Sequence, residues 1–391
     1  MSASSLQKPR FSPMLPIITL LTGTRTVTDT GFRMVYPLLP VFARGVGVEV
    51  SAIVSVLAFM QLLGLVAPFI GRVSEQRGRK FTMLLGLLLY VAGMLSVLIF
   101  PNFTGLAIAL LLGSIGRTAL NPAMQAYIGD KVPYARRGLF LGIVELAWSG
   151  AFLFGVPLMT WLLANYNWQA PFLALAILSA VGFVLIWLRI APDAPVAQHV
   201  AFLPALRAAI SSPMALAGLA LGFSISAANQ LVSVVFSTWI EASFGIQLAA
   251  LAVAAAVIGI SELGGEGIVT FFADRFGKRR LVLLGVSGNI LACLLLPLTS
   301  SNLNLALVGL FFFYLTFELS VVASIPLATE LSPNARAMYL TVVMTAVTLG
   351  RALLTPVAPA LFAFGLLANC LVAVGFNLIA IFVVRRFITV K

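Results

Sequence analysis

The chain is poor in what a water-facing surface is made of. Only 9% of its 391 residues are charged and 61% are apolar, whereas a soluble domain carries about 25% charged residues. A soluble globular protein is thereby excluded. Histidine occurs once, at His199, and cysteine twice, at Cys293 and Cys370. No Cys/His grouping has metal-ligand spacing, so no metal site is expected, and both cysteines lie in apolar runs where they read as small core residues rather than a disulfide. A Gly-x-x-x-x-Gly-Lys-Ser/Thr loop is missing, which removes the usual route to ATP drive. No catalytic residue, cofactor or enzyme activity is assigned. No polar stretch exceeds about 25 residues, so no separate soluble domain is expected. The N-terminus is polar through Arg10 and lacks a small-residue cleavage site, so no removable signal peptide is expected.

What remains is a succession of apolar runs, each about the length that spans a bilayer as a helix. Twelve are read, over 14–41, 51–70, 81–100, 105–128, 138–163, 168–188, 213–241, 248–272, 281–299, 303–327, 337–364 and 366–387. A segment over 189–212 joins spans 6 and 7, and 201–210 within it has the makings of a short interfacial helix. The net charge of +12 does not signal nucleic acid. Of 24 Lys and Arg, 19 fall at the N-terminus, in the loops after even-numbered spans and in the C-terminal tail, and Arg44 alone falls on the other side. This bias toward one face is the positive-inside pattern and predicts both termini in the cytoplasm.

A basic loop occurs twice. Gly71-Arg-Val-Ser-Glu75-Gln-Arg77-Gly78-Arg79-Lys80 is matched by Ala273-Asp274-Arg275-Phe-Gly277-Lys278-Arg279-Arg280, with Gly78 and Gly277 199 positions apart. A second loop repeats at an offset of 200: Asp130, Pro133 and Arg136 answer to Glu330, Pro333 and Arg336, with Arg137 beside the first copy. The expected fold is therefore an all-α membrane protein of twelve transmembrane helices, in two six-helix halves related by a pseudo-twofold axis along the membrane normal. The halves are 1–188 and 213–391, with 189–212 as a cytoplasmic linker.

These loops resemble the signature of the major facilitator superfamily: a Gly, an acid four positions later, an Arg, then Gly-Arg-Arg/Lys. The first copy has Glu75 for the usual Asp and Gln76 for the usual Arg, and the second has Thr270 where the leading Gly would stand. The resemblance covers nearly the whole chain. It implies a cytoplasmic latch in which Glu75 and Asp274 hold neighbouring helix ends and pair with loop arginines in the outward-facing state. The latch group comprises Gly71, Glu75, Arg77, Gly78, Arg79, Asp130, Arg137, Asp274, Arg275, Gly277 and Arg336; the alternative is that these charges only set topology. Gly150-x4-Gly155-Val-Pro157 is loosely similar to the family's antiporter motif but lacks the direct Gly-Pro.

Nine ionisable residues fall inside spans, where each costs on the order of 3 kcal/mol to insert and is a functional candidate by default. Arg25, Asp29 and Arg33 share one face of span 1; the others are Arg117, Glu145, Glu262, Glu266, Glu318 and Arg351. Arg117 resembles the family's span-4 arginine linked to proton coupling, and Asp29–Arg117 is the first expected pair. Glu262, Glu266 and Glu318 are offset within their half only by Arg351, so at least one should bind a proton. Those three are the leading proton carriers, with Glu145 and Asp29 behind them. The expected substrate cavity comprises Arg25, Asp29, Arg33, Arg117, Trp148, Asn229, Gln230, Glu318 and Arg351, with Gln61, Tyr127, Asn289 and Tyr314 as further polar candidates. For each, ordinary inter-helix packing is the alternative.

The expected function is secondary transport driven by a proton gradient, most simply export of small amphiphilic or drug-like molecules. Alternatives are symport of a sugar or organic anion, for which Arg25, Arg33 and Arg117 would suit the anion, transport of a lipid or lysolipid, and a non-transporting sensor. Expected partners are a small-molecule substrate and the lipid bilayer, with no nucleic acid. A monomer in a bacterial inner membrane is expected.

Overall fold

A computed structural model describes residues 14–193, 206–207, 210–245, 248–332 and 336–389. His199 and most of the expected interfacial helix over 201–210 lie outside the described residues. Among the described residues the protein is helical throughout, with no strand. Nine helices among the described residues are long and apolar enough to cross a membrane, or ten if Val50–Val66 and Phe69–Arg77, bent by 47°, form one span.

Span 1 is not one helix. It divides into α1 (Leu15–Arg33) and α2 (Val35–Val46). Pro37 supplies no N–H and its ring crowds the Arg33 carbonyl, so the helix breaks there. Pro40 does the same to the Tyr36 carbonyl, which instead accepts a bond from Ser237 Oγ at 2.7 Å. Span 11 likewise divides at Thr355-Pro356 into Arg336–Leu354 and Val357–Phe362. Span 5 runs from α3 (Tyr134–Gly150) through a wide π turn, Ala151–Gly155, just before Pro157, the ordinary place for a helix to take up a missing N–H.

The repeated loops build matching turns. Gly78 (φ 94°) precedes Arg79–Ile99, and Gly277 (φ 84°) precedes Lys278–Leu295. That backbone region is almost closed to side-chain-bearing residues. Asp193 completes the first turn by accepting from the backbone N–H of Arg79 and Lys80, as a carboxylate at a helix N-terminus should. At the far end of that helix, each copy has Asn as the N-cap of the next: Asn102 accepts from Thr104 and Gly105 N–H, and Asn302 from Asn304 and Leu305 N–H. Gly277→Ala is expected to lower stability by about 1–3 kcal/mol through backbone strain alone. Gly78→Ala should cost more, because its new Cβ would stand 3.0 Å from the Asp193 carbonyl oxygen. Thermal unfolding in detergent checks the order.

Packing inside a bilayer depends on close approach rather than hydrophobic exclusion. Gly86 lies against the backbone of Gly116, and Gly285 against Ser320, so closely that a Cβ would come within 2.6 Å and 2.7 Å respectively. Helices before residue 190 pack chiefly on one another, as do those after 213. At one end, a single apolar core joins both groups, with Met34, Leu38 and Phe42 against Leu231, Val235 and Ile240. At the other end, where the basic loops lie, the core divides into two separate clusters. The gap between them is the cavity.

Candidate functional site

α1 presents its three charges to different partners. Arg25 holds Glu145 of α3 with two parallel bonds of 2.7 Å and reaches Asp29 at 3.2 Å. Asp29 is fully buried and accepts from Arg117 Nε at 2.5 Å and from Asn121 Nδ2 at 3.4 Å. The Asp29–Arg117 pair expected from the sequence is thus present, and Asp29 sits between two guanidinium groups. Glu145 is half-exposed to the cavity and also accepts from Gln125.

Arg33 reaches a helix of the second group. Its guanidinium pairs with both oxygens of Glu262, at 2.7 and 2.5 Å, and donates to the Trp148 carbonyl at 2.8 Å. Its Cζ lies 4.0 Å from the Trp148 ring centre and 3.6 Å from that of Phe152. The planar fork is filled on its edges by acceptors and on its faces by aromatic rings, an arrangement an ammonium cannot reproduce. Both side chains are buried. Sequence reasoning offset the second-half acids with Arg351 alone; the structure supplies Arg33 from α1 instead.

Two carboxylates and one guanidinium at this depth have no ion-pair partner among the described residues. Glu266 accepts only from Ser149 Oγ, at 3.2 Å. Glu318 is 5% exposed and has no hydrogen bond or salt bridge, its stem lying against Gly265, next to Glu266 in the chain. Arg351 makes no side-chain hydrogen bond, and its Nε is buried without an acceptor. All three line a cavity of about 890 Å³, together with Arg25, Arg117, Glu145 and Trp148 and with apolar residues such as Phe32, Met60, Val321 and Ile325. It reaches Gly138 and Thr270, close to the basic loops, and so opens at that end.

The opposite end is sealed. Arg44 pairs with Glu241 at 2.6 Å, Ser237 bonds the Tyr36 carbonyl, and Gln230 Nε2 bonds Thr355 Oγ1 at 2.8 Å and Tyr36 Oη at 3.5 Å. Asn369 Nδ2 donates to the Leu231 and Ala358 carbonyls; the Leu231 carbonyl is open to it because Val235 N–H turns to Val232 instead. Gln61 donates to Tyr36 Oη at 2.8 Å.

Other expected site residues fall elsewhere. Asn289 bonds Phe313, Thr316 and Asn377 inside the helix packing, and Tyr127 lies in the apolar cluster near the basic loops. Of the latch group, Glu75 is exposed and makes no ion pair among the described residues. Arg79 pairs with Asp130 at 3.3 Å and with Ser74, Arg137 bonds the Val132 carbonyl, and Arg77 and Arg275 lie over Phe81 and Phe276. Lys278–Glu330 is the repeat counterpart of Arg79–Asp130. Gly71 faces open space. The side chains of Asp274 and Arg336 lie outside what is described. Sequence reasoning missed Ser149, Gln125, Asn121, Phe32 and Ser237, all common residue types whose importance comes only from their neighbours.

A helical bundle of this length, with paired charges at mid-depth and a polar cavity open at one end, is an integral membrane protein of the transporter class. The chain belongs to the Major Facilitator Superfamily, whose family model matches residues 21–265 and again 218–391. Its members are transporters, not enzymes. The chain is 27% identical to an uncharacterized MFS-type transporter, YwfA, of Bacillus subtilis (strain 168), over 95% of this chain and 93% of that protein. It is also 27% identical to Multidrug resistance protein 2 of the same organism, over 78% of each. Among solved structures, a D-xylose-proton symporter superposes with a TM-score of 0.78 at 16% identity, covering 96% of this chain and 98% of that one. A peptide transporter in complex with alafosfalin superposes at 0.77 with 14% identity, covering 98% and 96%. At such identities the structures share the fold.

Proposed function

We propose that this protein is a proton-coupled antiporter that exports small amphiphilic molecules by alternating access. It would have twelve spans in two six-span halves, with both termini in the cytoplasm of a bacterial cell and the cavity open to the cytoplasm. One observation carries the reading: among the described residues Glu266 and Glu318 are the two membrane-depth carboxylates that pair with no arginine, and both face the cavity. A carboxylate in that position can hold a proton or a cationic substrate group but not both, and that competition is antiport. The apolar lining of Phe32, Met60, Trp148, Val321 and Ile325 suits an amphiphilic body. Arg25, Arg33 and Arg117, which favoured an anion from sequence, are each bound to a carboxylate. The relationship to Multidrug resistance protein 2 supports export.

The unpaired Glu75 fits the same reading, because the latch is expected to close only when the cytoplasmic ends meet. Purified protein in proteoliposomes, given a pH gradient and a panel of cationic, anionic, zwitterionic and lipid substrates, tests it. Uptake of amphiphilic cations should follow the gradient and stop when the gradient is dissipated. Transport that ignores the gradient would sink the proposal.

Alternating access also requires the sealed end to part. With Cys293 and Cys370 replaced by Ala, Arg44→Cys joined to Glu241→Cys by a short bis-maleimide should halt turnover. Binding from the cytoplasmic side should survive. Undiminished transport by the cross-linked protein would show that this end does not open.

A further inference from the structure

Arg351 is the exception among the four membrane-depth arginines. The other three each hold a carboxylate; Arg351 holds none among the described residues. A guanidinium carries five N–H donors, and burying such donors unmet is costly. Glu318 shares the cavity wall and lies within electrostatic reach of Arg351, yet forms no ion pair with it.

Arg351 borders a small chamber of about 40 Å³ at the sealed end of the cavity, where Asn229 also faces inward. Asn229 is 5% exposed, and its Nδ2 has no partner. Its Oδ1 is already taken by Ser233 Oγ at 3.1 Å, and Ser233 is tied to Tyr314 Oη at 2.8 Å. Gln230 is satisfied by Thr355. The spare capacity of this polar wall is therefore two N–H donors, one of them charged. What completes it is an acceptor, best an anionic one. A water needs roughly 10–15 Å³ on this measure, so the chamber takes a group of a few heavy atoms and not a ring. Phe32 and Trp148 border both the chamber and the main cavity, so a ligand can place its head in one and its body in the other.

We propose that Arg351 and Asn229 form a subsite for the carboxylate of a zwitterionic substrate, whose ammonium group meets the wall of Glu266 and Glu318. This rests on the reading of the cavity as the transport site and narrows the substrate to molecules carrying both charges. Neither charge alone uses all the unpaired groups.

The test uses the full chain in lipid nanodiscs and two probes with the same aromatic body and tertiary ammonium, one a free carboxylic acid and the other its methyl ester. The acid should bind roughly tenfold or more tightly than the ester, the ratio expected from about 1.5–3 kcal/mol for a hydrogen bond to a charged group. Arg351→Gln and Asn229→Asp should each collapse that ratio toward one. Asn229→Asp keeps the shape and reverses the sense of the group, so it reports even where Arg351→Gln folds poorly. Equal affinity for acid and ester in the wild type, or a ratio that survives both substitutions, overturns the subsite. Proton-driven transport of the ester without an acid preference would leave the antiport reading standing and end this one. An acid preference without proton-driven transport would support the subsite and end the antiport reading.

Discussion

Glu318→Gln is expected to abolish transport driven by a pH gradient, down to the level of protein-free vesicles, while substrate counterflow continues. Glutamine keeps the volume and hydrogen-bonding reach of the side chain but can neither release nor bind a proton in this range. Glu318 is the residue to choose because nothing holds it: it is buried, lines the cavity and has no hydrogen bond among the described residues. Glu266→Gln should produce a partial defect, because Ser149 gives Glu266 a partner at 3.2 Å that Gln can retain. The contrast with counterflow matters. A misfolded or blocked cavity loses both activities, whereas a lost proton site loses only the driven one. Normal accumulation under a pH gradient by the double variant would remove both residues from the coupling role.

Breaking the Arg33–Glu262 pair from one side only should destabilise the protein by on the order of 3–5 kcal/mol, because it strands a buried charge. Arg33→Met and Glu262→Leu are each expected to lower the unfolding temperature in detergent markedly. The double variant Arg33→Met/Glu262→Leu should recover most of the loss, since replacing a buried pair by apolar residues is often near neutral. Arg33→Lys should behave more like the single variants than like wild type. An ammonium cannot make two parallel bonds to Glu262 while filling the slot between Trp148 and Phe152. The pair joins α1 to the helix Leu248–Phe276 beside the small chamber at the sealed end, so its loss should also change how readily that end parts. A double variant no more stable than either single one would show that the pairing energy is not what holds these helices.

How much of this could be read from the sequence depends on how local the cause was. The nine membrane-depth charges stood out because hydrocarbon makes charge conspicuous. The repeated Gly78 and Gly277 were legible because a backbone demand leaves a residue-type signature, and the repeated Asn102 and Asn302 caps carry the same kind of signal. The Asp29–Arg117 pair was reachable, since the family resemblance set Arg117 at mid-depth in a span facing span 1. The Arg33–Glu262 pair was not: the partners are 229 positions apart, and nothing local distinguishes Glu262 from Glu266 one turn on. For the same reason the sequence ranked three acids together as proton carriers, where the structure separates one held acid from two unheld ones. Asn289 misled because an amide in an apolar run marks a hydrogen bond but not whether it faces a cavity or a neighbouring helix. The splits in spans 1 and 11 were written in Pro37 and Pro356, but an apolar run continues through a proline while a helix does not.

The sealed end has a consequence for leakage. Most of what closes it is uncharged: a serine on a peptide carbonyl, amides on hydroxyls and carbonyls, and apolar side chains from both groups of helices. Beyond the buried Arg33–Glu262 pair, the ionic contact there among the described residues is Arg44–Glu241, and Arg44 is nearly half open to solvent, where such pairs contribute little and fade with added salt. A barrier made this way holds about equally well in brackish, dilute or mildly acid surroundings. The membrane's ion gradients would then be kept from dissipating through an idle carrier whatever the cell is bathed in.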